Sequence, residues 1–105
     1  MREISLTLRT WQPVLNQADE LLDTAKMLAA DAERWKDKYP SISIRSFALA
    51  MCAAGKAKLL YQTIQWYTGC NMTSHIQEAD NLEHYYYRRF YEVVDAALMH
   101  RSRRR

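Results

Sequence analysis

A carboxylate and an imidazole lie four residues apart in the last third of the sequence, at Asp80 and His84. On a helix this spacing places both groups on one face, where they could supply two ligands to a metal ion. A catalytic zinc site needs three protein ligands, and no residue at the usual spacings supplies the third. Arg88 and Glu92 continue the same face, which favours a ladder of solvent-exposed ion pairs. We therefore predict no metal and no cofactor.

Motifs of known enzymes are scarce in this sequence. It contains 2 glycines, Gly55 and Gly69, whereas phosphate-binding loops, dinucleotide fingerprints and nucleophile elbows all need glycines at fixed spacings. Cys70 and His75 are a further possible pair of metal ligands, but a turn explains their position without a metal. A catalytic Cys–His dyad would need an activated thiol, and nothing in the sequence marks either cysteine as activated. We predict that the chain is not an enzyme and that it acts by binding.

The middle of the sequence carries basic but no acidic residues, since no Asp or Glu occurs between Asp37 and Glu78. Arg45 and Lys56 are three helical turns apart, so they point the same way at a distance of roughly 16 Å. This spacing could span successive phosphates of a nucleic-acid strand. The alternative is that a central helix, covered on two sides, simply carries few charges of either sign.

Residues 84–91 interleave tyrosine rings with arginine side chains. Nucleic-acid bases stack on such rings, and arginines bind phosphates. The helical pattern nevertheless puts much of this cluster on or beside the predicted core, and tyrosine and arginine are also favoured at protein interfaces. A core or a protein interface therefore explains most of the cluster, and Tyr85, Arg88 and Arg89 are its most exposed members.

Two kinds of contact residue follow from these patterns. The predicted contacts to the nucleic-acid backbone, of RNA or single-stranded DNA, are the basic residues Arg45, Lys56, Lys58, Arg88, Arg89, Arg101, Arg103, Arg104 and Arg105. The predicted contacts to a protein partner are the apolar and aromatic residues that lie beside or opposite the core, namely Leu49, Leu59, Tyr85, Tyr87 and Tyr91.

Apolar residues recur every three or four positions over most of the chain, which is typical of helices. This repeat predicts helices over residues 11–38, 43–68 and 74–100, with stop signals at Pro40 and Gly69. We expect an all-α fold, an antiparallel three-helix bundle with a short N-terminal arm and a basic C-terminal tail. Residues 1–100 would form one domain, followed by the tail at 101–105.

The predicted core stripes of the first two helices contain many alanines, which would allow the helices to approach closely. The first stripe passes through Ala18, Leu21, Ala25, Leu28 and Ala32. The second passes through Phe47, Ala50, Ala54, Ala57, Tyr61 and Ile64.

The composition of the 105 residues also bears on the cellular setting. The longest apolar run, residues 47–55, is far shorter than the ~20 residues that a bilayer span requires, and the first residues lack the apolar region of a secretory signal. Cys52 and Cys70 would lie roughly 27 Å apart on one helix, too far for a disulfide. We therefore expect free thiols, no membrane contact and a cytoplasmic location.

Three segments are similar to parts of a known family. Residues 43–47 (Ser-Ile-Arg-Ser-Phe) resemble a helix start, residues 60–69 a helix that ends in an aromatic residue and a glycine, and residues 87–94 an aromatic-rich last helix. Together they resemble the small helical subunit of CRISPR effector complexes, in particular of type III. The resemblance implies a non-catalytic subunit that stacks with its neighbours and contacts nucleic acid through basic side chains, with Arg45 as a candidate contact. Residues 1–40 have no counterpart in it.

These observations leave three hypotheses about function. The first is a helical subunit of a nucleoprotein assembly, which binds protein through apolar helix faces and nucleic acid through a basic patch. The second is a protein-only binder, such as a phage- or plasmid-encoded inhibitor or adaptor of a host machine. The third is a homo-oligomeric structural bundle. Salt separates the first two, because only nucleic-acid binding weakens steeply with ionic strength.

Overall fold

The structure is a computed structural model that describes the backbone of residues 9–103 and the side chains of residues 9–99. Within residues 12–103 the chain forms α1 (Gln12–Trp35), α2 (Pro40–Thr68) and α3 (Thr73–Arg103), and no strand occurs in this part. The central helix α2 packs against both α1 and α3. The predicted all-α three-helix bundle is thus confirmed, whereas the N-terminal arm falls mainly in residues 1–8, outside the described part. None of these helices combines the length and apolar character that crossing a membrane would need.

The helix ends differ from the predicted ones by a few residues. α1 stops at Trp35, and α2 already starts at Pro40, because proline fits the first turn of a helix, where its missing N–H costs no hydrogen bond. Gly69 ends α2 as predicted. Its φ of 72° is left-handed, and its N–H donates to the carbonyl of Gln65 at 2.9 Å.

α3 continues to Arg103, beyond the predicted end at residue 100. Residues 101–103, which we expected in an unstructured tail, are therefore helical. Arginine is a good helix former and neither glycine nor proline interrupts this stretch, so nothing local stops the helix.

The core of α2 is one stripe along the helix, with buried side chains at alternating steps of four and three residues. We call it the inner seam of α2. It confirms the predicted core stripe, extends it by one residue at each end, and consists of Ser43, Phe47, Ala50, Ala54, Ala57, Tyr61, Ile64 and Thr68.

The core of α1 is displaced from the predicted stripe. Ala25 is fully buried as expected, but Leu22 and Ala29 are buried as well, while Leu21 and Leu28 are only half-buried. The reason is that side chains of α1 also contact α3. The buried face therefore turns toward both neighbouring helices rather than toward α2 alone.

Two members of the inner seam donate hydrogen bonds to α1. The hydroxyl of Ser43 donates to the carbonyl of Ala32 at 2.7 Å, and that of Tyr61 donates to a carboxylate oxygen of Asp19 at 2.5 Å. Burial and this hydrogen bond raise the pKa of Tyr61. Because each contact is made at one pairing of residues only, the two together fix the register between α1 and α2.

Candidate partner-binding surface

Lys58, a predicted nucleic-acid contact, is bound within the bundle. Its ammonium lies 2.6 Å from a carboxylate oxygen of Glu83 and 3.1 Å from one of Asp80, both on α3. The hydrogen bond to Glu83 is the main reason that the pKa of Lys58 is raised. With its side chain only 22% exposed, Lys58 joins α2 to α3, and we do not include it in the proposed surface.

The carboxylates that bind Lys58 also belong to a possible set of metal ligands. Carboxylate and ring atoms of Asp80, Glu83 and His84 lie within 4.8 Å of one another, so three ligand atoms do come together in the described part. The sequence pattern had not revealed Glu83 as the third. However, the ammonium of Lys58 already bridges both carboxylates and offsets one of their two negative charges, and a metal ion would have to displace it. The arrangement therefore fits an ion-pair cluster.

Arg89 is also bound within the bundle. Its guanidinium donates to both carboxylate oxygens of Glu33 at 2.7 and 2.9 Å and to Glu92 at 2.5 Å. It lies 5.7 Å from the ring centroid of Phe47. The bond to Glu33 is the first cause of a raised pKa of Arg89, and the side chain is 17% exposed. Arg89 is therefore a structural link between α1 and α3, and we leave it out of the surface as well.

A second stripe runs along α2 on the side away from the core. It also advances in steps of four and three residues, the spacing of one side of a coiled coil. We call it the outer seam of α2. Its members are Arg45, Leu49, Cys52, Lys56, Leu59, Thr63 and Trp66, and all except the half-buried Thr63 are exposed.

The large apolar side chains of the outer seam are exposed to solvent. Leu49 is 47% exposed, Leu59 60% and Trp66 83%. Scattered exposed apolar residues are normal, whereas an aligned row of them on one helix makes a candidate interaction surface. Leu49 and Leu59 were predicted partner contacts. Trp66 was not among the predicted contacts, although its distance of seven residues from Leu59 places it on the same stripe.

The outer seam also carries the two cations that remain unengaged on α2. No carboxylate of the described residues lies within ion-pair distance of Arg45 or Lys56. α2 itself, from Pro40 to Thr68, contains no acidic residue. The sequence had suggested one basic patch and one apolar face. In the structure they are a single surface.

The predicted tyrosine contacts on α3 separate into two places. Tyr87 and Tyr91 pack against each other with ring centroids 4.8 Å apart, and both are about half exposed. The ring of Tyr85 lies against that of Tyr86. The guanidinium of Arg88 lies 5.6 Å from the ring centroid of Tyr85. Tyr85 and Arg88 therefore form a small cluster of their own, apart from the tyrosine pair.

The tail arginines contribute little that can be placed. Arg101 and Arg103 belong to the last turn of α3, while Arg104 and Arg105 lie outside the described residues. Their predicted role stays a prediction.

Comparison with protein-family models, with curated proteins and with solved structures gives no match to this chain. The resemblance to the small subunit of CRISPR effector complexes is therefore neither supported nor contradicted by them.

Proposed function

We propose that this chain is a non-catalytic helical subunit or adaptor, which binds a neighbouring protein along the outer seam of α2. The observation that supports the proposal most is the pattern of the seam. It has the spacing with which a helix packs against another helix, and its apolar members Leu49, Leu59 and Trp66 have no cover within the described bundle. Burying these three side chains would contribute favourably to association.

The test is co-purification from cells in which the protein is made naturally. We expect the tagged wild type to retain a protein partner through nuclease treatment and the variant Leu49→Ser with Leu59→Ser to lose it. Met27→Ser is the matched control, since Met27 is 70% exposed but lies on α1. If the seam variant retains the partner as well as the control does, the outer seam is not the binding surface.

A second candidate function is contact with the backbone of a nucleic acid. Arg45 and Lys56, which have no carboxylate partner among the described residues, lie roughly 16 Å apart, and cations bind phosphates. The exposed ring of Trp66 lies on the same stripe, and such rings stack on bases. Both observations favour nucleic-acid binding. Labelled single-stranded RNA and DNA would be titrated at several salt concentrations with the wild type and with Arg45→Glu, Lys56→Glu. Loss of each phosphate contact should flatten the log–log salt dependence by about one unit. No binding at low salt leaves the protein-only function.

A further inference from the structure

The charges of the outer seam restrict what its occupant can be. Arg45 and Lys56 project from the seam without a carboxylate partner among the described residues, and the whole of α2 lacks acidic residues. Leu49 and Cys52 lie between the two cations, and Leu59 follows them. An occupant must therefore provide apolar contacts in the middle and negative charge at two points, because cations left unpaired at a closed interface would be desolvated at a cost.

The geometry of the seam restricts the occupant further. The seam extends over 22 residues from Arg45 to Trp66, and the 21 steps between them cover roughly 32 Å of straight helix. A second helix presents side chains at the same steps of four and three residues, so its ridges fit this stripe along its full length. Two carboxylates eleven residues apart on such a helix would meet Arg45 and Lys56, with apolar residues between them.

A second copy of the chain does not meet these conditions seam to seam. Two outer seams in contact would bring four unpaired cations together with no carboxylate from either α2. Like charges facing each other destabilise a helix pair. The complementary surface must be acidic.

We infer that the outer seam of α2 binds an acidic amphipathic helix of another protein. The inference rests on the proposed function, which requires only that a protein binds the seam, and it adds the chemistry of that protein. It assigns Arg45 and Lys56 to ion pairs across the interface, Leu49, Cys52 and Leu59 to its apolar centre, and Trp66 to an anchor at one end.

Three labelled helical peptides of 22 residues would serve as probes for this inference. The three peptides have the same leucines at steps of four and three. They differ only at the two positions, eleven residues apart, that would meet Arg45 and Lys56, where they carry Glu, Gln or Lys. Binding is followed by fluorescence anisotropy, and the indole N–H signal of Trp66 in a nitrogen-edited NMR spectrum reports contact with the seam. We expect the Glu peptide to bind about tenfold more tightly than the Gln peptide, from two exposed ion pairs, and the Lys peptide to bind most weakly.

Variants of the protein then test the assigned residues. Arg45→Glu with Lys56→Glu should invert the order, so that the Lys peptide binds best. Arg34→Glu with Lys38→Glu is the matched control, because it makes the same change in net charge at exposed positions off the seam. It should leave the order of the three peptides unchanged.

Different failures point to different errors. If the Glu and Gln peptides bind equally and the seam variant changes neither affinity, the acidic partner is ruled out while binding at the seam stands. If none of the peptides binds, both the inference and helix binding at the seam fail. Sedimentation that finds a wild-type dimer dissolved by Lys56→Glu would identify a second copy as the occupant. Displacement of the Glu peptide by single-stranded RNA at equal concentration would identify nucleic acid. Either result overturns the inference.

Discussion

The two seams of α2 have the same spacing on the same helix and opposite environments. The inner seam is closed by α1 and α3, and its largest side chains, Phe47, Tyr61 and Ile64, are fully buried. The outer seam has no cover in the described part of the chain, although it also carries leucines and a tryptophan. Spacing alone shows that a helix can be covered on two sides, and the structure shows that the chain itself covers the stripe predicted as the core.

Polar groups differ between the seams in the same sense. Beside the inner seam, Lys58 and Arg89 are held by carboxylates, and Ser43 and Tyr61 donate hydrogen bonds to α1. On the outer seam, Arg45 and Lys56 have no carboxylate partner in the part of the chain whose side chains are described. A folded bundle needs its buried polar groups satisfied, whereas the exposed cations of the outer seam are solvated by water and need no partner within the fold.

The largest effect on stability should come from the centre of the inner seam. Phe47→Ala removes a fully buried ring and should lower the free energy of unfolding by about 3–5 kcal/mol, measured by chemical denaturation. Leu49→Ala, two residues away on the outer seam, is the control and should cost far less. Similar losses for both would mean that the outer seam is covered as well.

Overfilling the interface between α1 and α2 should have the next largest effect. Ala25 is fully buried, so Ala25→Leu should destabilise the bundle by ~1–3 kcal/mol. Ala30→Leu adds the same atoms to an exposed position of α1 and should leave the melting temperature nearly unchanged. An unchanged melting temperature for Ala25→Leu would contradict the pairing of the two helices.

The ion pair beside Phe47 predicts a smaller, pH-dependent effect. The hydrogen bond from Arg89 lowers the pKa of Glu33 below its usual 4.5. The lowered pKa of Glu33 in the folded state stabilises the protein fully above the usual, unfolded-state pKa of 4.5. This contribution disappears as the pH falls through the lower, folded-state pKa. Glu33→Gln should therefore destabilise the protein at pH 7 and show a shallower loss of stability in acid.

The exposure of Glu33 by more than a third keeps this effect below that of Ala25→Leu. The control is Glu20→Gln on the exposed face of α1, which should follow the wild type at every pH. If Glu33→Gln and the wild type lose stability in parallel below pH 4.5, the pairing with Arg89 does not stabilise the fold.

The smallest effect should come from the cations of the outer seam. Because Lys56 has no ion-pair partner in the described part of the protein and is exposed, Lys56→Glu should change the free energy of unfolding by no more than about 0.5 kcal/mol. Lys58→Glu, two residues further, places like charges beside Asp80 and Glu83 and should be clearly destabilising. A large loss of stability for Lys56→Glu would show that it has a partner within the chain.

Much of the fold could be predicted from the sequence because helix periodicity is local. The inner seam, the cap at Gly69 and the shared direction of Arg45 and Lys56 all follow from spacing along one helix. The displaced core of α1 could not be predicted in this way. The buried Leu22 and Ala29 share a stripe of α1 with Lys26 and Glu33, and the side chains of these two charged residues pair with the distant helix α3.

The candidate surface was predictable only in part, for a related reason. Lys58 and Arg89 read as free cations in the sequence, but Glu83 lies 25 residues from Lys58 and Glu33 lies 56 residues from Arg89, and no local pattern announces such pairings. Glu92, three residues after Arg89, is the one partner that local spacing offered. Among the described residues, no carboxylate reaches Arg45 or Lys56, and both side chains are exposed. Trp66 could have been found, since it continues the step of Leu59 along the same stripe.

The lack of carboxylates on α2 makes the helix suitable for covalent capture of its partner. A carbodiimide joins an amine to a carboxylate in direct contact without leaving a spacer, and α2 offers only amines, those of Lys56 and Lys58. The amine of Lys58, 2.6 Å from Glu83, would form an amide within the chain and so report that the reagent has acted. An amide at Lys56 would instead show that a carboxylate of another surface contacts the outer seam. Mass spectrometry of the linked peptides would then identify the sequence that carries this carboxylate.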